Sequence, residues 1–141
     1  MRHSNSSPIR GEYMNIMAFA LLGTLISLLM ISHAQAASFN ITNSDTELAM
    51  INIICKSKDD DLGVSYLKPS DSREWQFNGW PWTKFSCDFQ WNVKRMQQDT
   101  WTFDFAYFHA RTADINWQVY HDGLYLYLPL RRQLQFIQPW S

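Results

Sequence analysis

Three consecutive aspartates, Asp59, Asp60 and Asp61, follow a cysteine and two lysines in the stretch CKSKDDDLG, Cys55 to Gly63. Such a run offers carboxylates to a cation or to acid–base chemistry. Its spacing argues against the cation. A helix-loop-helix calcium loop takes ligands from alternate positions and closes on a glutamate. Here the acids are adjacent, and no glutamate follows Leu62-Gly63 where such a loop needs one. The residue types fit a solvated turn, with carboxylates accepting backbone N–H groups and Gly63 taking a positive φ. Contact with a partner is the functional alternative for Asp59, Asp60 and Asp61. A paired-carboxylate hydrolase is not decided by spacing, because any two acids can meet in space.

The other reactive groups are few. Past the N-terminal segment the histidines are His109 and His121, and neither has a nucleophile at a recognisable spacing. The chain has no Gly-rich phosphate loop and no His/Cys metal cluster in its sequence pattern. The expectation is a protein without catalytic residues, metal or cofactor. Trp80-Pro81-Trp82 is a different kind of feature. It follows Asn78-Gly79, a turn signal, where two indoles are hard to bury together. On a rigid loop Trp80 and Trp82 would stack on a sugar or anchor a protein partner. The alternative is that they fold back and cap the core.

The segment that precedes all of this has its own physics. Ile16 to Ile31 is apolar apart from Gly23, Thr24 and Ser27, with Arg2 and Arg10 ahead of it and Ala34-Gln35-Ala36 behind. That is the layout of a secretory signal peptide, removed near Ala36. The run is shorter than the roughly 20 apolar residues of a bilayer-spanning helix, so an uncleaved anchor is the weaker reading. Met14 and Met17 make equally good starts, which leaves residues 1–13 as an extension. Removal of 36 of the 141 residues leaves a single domain of 105, residues 37–141, and moves the net charge from −1 to −2. No basic face is offered to nucleic acid or to an anionic membrane.

A secreted chain sets the redox context. Cys55 and Cys87 are the two cysteines, so one intramolecular pairing exists, closing a loop of 33 residues. Chain entropy gives such a bridge ~3.7 kcal/mol. Asn40-Ile41-Thr42 is a glycosylation sequon, and Asn40 alternates with Phe39 and Ile41, so it points outward if they point in.

The elements that position these residues have a period of two. Phe85, Cys87, Phe89 and Trp91 share one face, and Ile51, Ile53 and Cys55 another. Apolar residues on the opposite side as well, Leu48, Met50 and Ile54, mark this last segment as central. Trp101, Phe103, Phe105 and Tyr107 alternate in the same way and predict a strand. Trp117–Val119 and Leu124–Leu128 flank His121-Asp122-Gly123, a hairpin signal. Arg73–Phe77 and Gln133–Gln138 complete the set. Short strands separated by polar turns predict an all-β antiparallel β-sandwich of about eight strands. Both cysteines then point into the core. By analogy their bridge would sit as in immunoglobulin-like sandwiches.

Several of these residues carry a resemblance. An Asn43-terminated strand leads to a second strand and CKSKDDDLG. Trp75-x-Phe77, Thr83-x-Phe85-x-Cys87-x-Phe89-x-Trp91 and Trp117-x-Val119-x-x-Asp122-Gly123-Leu124-Tyr125 follow. This order and spacing resembles the plant self-incompatibility S-protein homologue family. The resemblance implies a secreted, non-enzymatic β-sandwich that acts as an extracellular signalling ligand, as founding members do in pollen rejection. It implies an unknown cell-surface receptor protein as partner, no stable membrane insertion after cleavage, and a monomer. A secreted carbohydrate-binding module, or a small structural or defence protein, is the alternative. Many family members carry four cysteines; Ile115 stands where the third would be, which leaves the C-terminal strands without a staple.

Overall fold

The alternation of apolar and polar side chains is realised as nine strands in the computed structural model, which describes residues 20–22 and 36–141. Residues 20–22 are helical and belong to a unit separate from residues 35–141; the rest of the expected signal peptide lies outside the described residues. In residues 36–141 the strands are β1 (Ala36–Asn43), β2 (Ile51–Ser57), β3 (Asp61–Leu67), β4 (Ser72–Asn78), β5 (Lys84–Trp91), β6 (Lys94–Thr102), β7 (Asp114–Tyr120), β8 (Gly123–Leu128) and β9 (Gln133–Gln138). They form two sheets, in the orders β4-β1-β7-β8-β9 and β3-β2-β5-β6. The β-sandwich expected from the sequence is thus present, with β2 inside its sheet as expected. One pairing departs from the antiparallel expectation: β1 and β7 run parallel, Ser38 opposite Asp114 through Asn43 opposite Val119. These strands are far apart in the chain, so no hairpin dictates their direction.

Aromatic rings fill the space between the sheets. Phe39 of β1 stacks on Trp75 of β4 at 4.9 Å and reaches Phe85 of β5 at 5.4 Å. Phe77 of β4 meets Phe85 at 4.4 Å and Trp101 of β6 edge-on at 5.1 Å. Trp101 and Trp117 are completely buried, so their indole N–H groups need partners. They donate to the carbonyls of Ala113 at 3.1 Å and Thr100 at 3.0 Å. Cys55 and Cys87 are buried as the alternation requires, and they are bonded to each other. Their bridge differs from the immunoglobulin-like placement. It joins directly opposed residues of neighbouring strands β2 and β5, with Cα atoms 4.0 Å apart, and so braces one sheet rather than linking two. The Thr100 hydroxyl, also buried, donates to Cys87 Sγ at 3.4 Å, since a bridged sulfur has no proton to give.

The expected strand through Trp101, Phe103, Phe105 and Tyr107 ends early. After Thr102 the chain enters a wide helical turn, Phe105–Ala110, whose entry is held by Phe105 N–H donating to Thr102 Oγ1 at 3.1 Å. The aromatic spacing satisfies both periods. Phe103 and Tyr107 touch at 4.6 Å and Phe105 and His109 at 5.0 Å, neighbours four residues apart on a helix. Phe105 still covers Trp117, stacked at 5.6 Å, so the core is served from a helix instead of a strand. His109 lies on this turn, with Nε2 2.9 Å from Gln135 Oε1.

The C-terminal segment is fastened without a second bridge. Ser141 and Arg95 exchange backbone hydrogen bonds of 3.0 Å in both directions, which joins the β9 end of one sheet to the β6 edge of the other. The Gln138 amide donates to the Gln97 carbonyl at 2.7 Å, and the Trp140 indole to the Tyr120 carbonyl at 2.9 Å. Ile115 is buried on β7 opposite Phe39 and adds to the core. Trp101→Ala should cost about 3–5 kcal/mol, because it removes a buried indole from the centre of this ring cluster. The urea midpoint measures it; a shift worth under about 1 kcal/mol would show that the sheets do not close on Trp101.

Candidate functional site

The loop between β2 and β3 and the loop between β4 and β5 meet at one end of the sandwich. The register explains why. Ser57 opposes Phe85 and Cys55 opposes Cys87, so the chain leaves β2 beside the point where it enters β5. The β4–β5 loop is a tight turn. Thr83 N–H donates to the Trp80 carbonyl at 3.0 Å, with Pro81 at the second position, where its fixed φ is pre-set. The Thr83 hydroxyl both receives Trp80 N–H at 3.0 Å and donates to the Asn78 carbonyl at 3.2 Å. Gly79 lets the loop enter close to the core, since a Cβ there would lie 2.9 Å from the Trp101 ring.

This turn presents two parallel indoles. Trp80 and Trp82 stack with centroids 5.3 Å apart and planes 3° from parallel. Trp80 is half-buried, while Trp82 is 75% exposed. The two rings are therefore not both folded back as a cap on the core: Trp82 stands in solvent, and Trp80 is partly covered and stacked on it. Trp80 backs Trp82 and leaves its other face to solvent.

The β2–β3 loop is shorter than the sequence indicated, because Asp61 already begins β3. That strand went unread because Val64 and Tyr66 point to solvent; it is an edge strand held by pairing with β2 rather than by burial. The three aspartates separate into two roles. Asp61 Oδ1 accepts Gly63 N–H at 2.9 Å, and Gly63 has φ +78°, the solvated turn foreseen for this stretch. Asp59 and Asp60 lie at the tip of a turn closed by Ser57 N–H donating to the Asp60 carbonyl at 2.8 Å and Asp60 N–H to Ser57 Oγ at 3.0 Å. With Lys58 they line a cleft of about 420 Å³ whose other wall is Trp80 and Trp82. Lys84 adds an ammonium at its margin, 3.5 Å from Asp99.

A second cluster lies at the opposite end, and sequence spacing did not reveal it. Asp45 follows β1, and His121 is in the β7–β8 turn, 76 residues away. Asp45 Oδ2 receives His121 N–H at 2.8 Å and lies 2.5 Å from His121 Nδ1, while Glu47 Oε2 is 3.7 Å from the same nitrogen. Their donor atoms fall within 4.8 Å of one another, the one such gathering of potential ligands among the described residues. The contacts among them make it a clasp between two loops. Backbone N–H groups of Glu47 and His121 hold the Asp45 carboxyl below its ordinary value. The hydrogen bond to Asp45 holds the His121 imidazole above its own, aided by Glu47 and Asp122 nearby. Asn43, fully buried, anchors the same end: its amide donates to the carbonyls of Leu48 at 2.7 Å and Leu67 at 3.1 Å.

Asn40 lies on β1 between Glu74 and Asn116, in alternation with buried Phe39 and Ile41; it is half-buried, and its Oδ1 is covered and has no hydrogen-bond partner. Among the described residues, no helix is long and apolar enough to cross a membrane.

Comparison with known proteins identifies the family of the chain. Residues 38–140 match the family model of the plant self-incompatibility protein S1. The chain belongs to that family. S-protein homolog 29 of Arabidopsis thaliana is 29% identical over 104 residues, covering 72% of this chain and 75% of the relative. S-protein homolog 13 of the same plant is 39% identical over 59 residues, covering 38% of this chain and 37% of the relative. A solved structure of a self-incompatibility protein homologue superposes with a TM-score of 0.60 at 16% identity, covering 78% of this chain and 98% of the other. That work describes a widespread family of small, highly stable, secreted plant proteins. The present protein is one of these secreted extracellular proteins.

The clasp makes stability depend on pH. His121 has a raised folded-state pKa, so its contribution is complete below the ordinary imidazole value of 6.5 and is lost as pH rises through the raised one. Asp45 has a lowered pKa, so its contribution is present above 3.8 and lost as pH falls through the lowered value. The thermal midpoint should therefore decline as pH rises above 6.5, and His121→Gln should remove that part of the decline. An identical pH profile in the variant would dismiss the clasp.

Proposed function

We propose that this protein is a non-enzymatic extracellular signalling ligand, read by a cell-surface receptor protein in pollen–pistil or other reproductive cell–cell recognition. The observation that carries the proposal is the convergence of two loops on one cleft. The aspartate turn and the Trp80–Trp82 turn, more than 20 residues apart in the chain, share a rigid base and present charge beside an open aromatic face. Loops on a rigid scaffold are where recognition is commonly built. Membership of a family named for self-incompatibility supports the reproductive setting. No step of covalent chemistry is part of this reading. The protein acts as a monomer, with residues 1–36 removed on export and Asn40 glycosylated.

Labelled protein should bind saturably to the membrane fraction of at least one tissue among pistil, pollen, leaf and root, and unlabelled protein should compete. Purely linear, non-competable uptake in every fraction would refute the ligand reading. The chain recovered from a plant secretory host should begin near Ala37 and lose mass on treatment with an N-glycosidase. Retention of residues 1–36, or an unchanged mass, would refute the corresponding part of the processing scheme.

A further inference from the structure

The cleft between the two loops has a chemistry that narrows what it can hold. We infer that it is a carbohydrate site, taking a neutral pyranose of a glycan against the open face of Trp82. This deepens the recognition surface described above and rests on it.

The aromatic wall comes first. Trp82 is 75% exposed, yet its ring is stacked on Trp80, and the turn that carries it is braced by Pro81 and the Thr83 hydrogen bonds. An exposed indole that is already ordered loses little entropy on binding. Its π-face is the negative end of a ring quadrupole, suited to the weakly positive C–H face of a sugar ring. Phe77 and Phe85 also line the cleft, while Ser57, Lys58, Asp59 and Asp60 make the wall facing the indoles polar, so the lining matches a ring-sized ligand with an apolar face and hydroxyl edges.

The polar wall decides the charge of the occupant. Asp59 and Asp60 bring carboxylates to the cleft, and Lys58 and Lys84 bring ammonium groups. A cationic peptide would be attracted by the first pair and repelled by the second, and an acidic ligand the reverse. A neutral polyol meets no such conflict. Each sugar hydroxyl both donates and accepts, so it can donate to a carboxylate and accept from a lysine. Ser57 and Asn78 add uncharged groups to the same rim. The volume, about 420 Å³, falls in the range of small-molecule sites and leaves room for more than one sugar ring.

Two sources present such a sugar: a free or cell-wall oligosaccharide, and a glycan carried on a receptor. An array of plant oligosaccharides, neutral and uronic-acid-rich, is the first probe. The neutral ones should bind, and calorimetry on the best of them should show a loss of about tenfold or more for Trp82→Ala and for Asp59→Asn with Asp60→Asn. Phe108→Ala removes another exposed aromatic, outside the cleft, and should leave binding intact. Each variant's unfolding curve confirms that it is folded. No binding to any array member, binding confined to the acidic glycans, or binding that survives Trp82→Ala would overturn the proposal. The membrane-binding assay separates this from the ligand reading. Binding abolished by prior removal of membrane N-glycans assigns the sugar to a receptor; array binding with membrane binding unaffected assigns it to a free or wall glycan. Membrane binding without any array binding upholds the ligand and rejects the carbohydrate.

Discussion

The Cys55–Cys87 bridge is the constraint on which the end of the molecule that carries the cleft depends. It crosses β2 and β5 at directly opposed positions, a few residues short of the aspartate turn and just past the tryptophan turn. Backbone pairing alone would hold these strands in register, but strand ends fray. A covalent link near the end denies them that freedom, and it also restricts the unfolded chain by closing a 33-residue loop. Register sets the two loops side by side and the bond keeps them there, so the cleft between them inherits its shape.

The sandwich behind the bridge is an aromatic core whose two fully buried indoles are satisfied locally. Trp101 and Trp117 bury large rings between the sheets and spend their N–H groups on carbonyls of the connecting segments. Ile115 is part of the core, and the C-terminal segment is tied across the two sheets through Ser141 and Arg95. Packing and edge pairing fasten it. The Asp45–His121 clasp and buried Asn43 order the opposite end, so both ends of the sandwich have tied loops by different means.

Much of this was legible because one-sided burial writes a period of two into the chain. The strands that bury one face, such as Phe85–Trp91, the Trp117 strand and its hairpin, could be read directly. What failed to show has a physical reason in each case. β3 is an edge strand with apolar residues outside, so its alternation carries no sign of a core. The segment after Trp101 places its rings at a spacing that serves a strand and a helix alike, so the pattern does not distinguish them; the helical course begins where Phe105 N–H bonds Thr102 Oγ1. Direction along β1 and β7 is a property of the whole topology, which no local pattern records.

The site was legible in pieces. Aspartates and tryptophans each stood out by type, but their meeting depends on the register of β2 with β5, and the division of labour between Asp61 and its two neighbours depends on one backbone hydrogen bond. The His121 clasp joins residues 76 positions apart and leaves no mark on either neighbourhood. Hydrogen exchange on the oxidised protein and on its Cys55→Ala, Cys87→Ala form tests the central claim most directly. The account predicts that residues 57–61 and 79–85 lose protection first and most, while β1 and β7 keep theirs. Equal protection of those two loops in both proteins, or a loss spread evenly through β1 and β7, would contradict it.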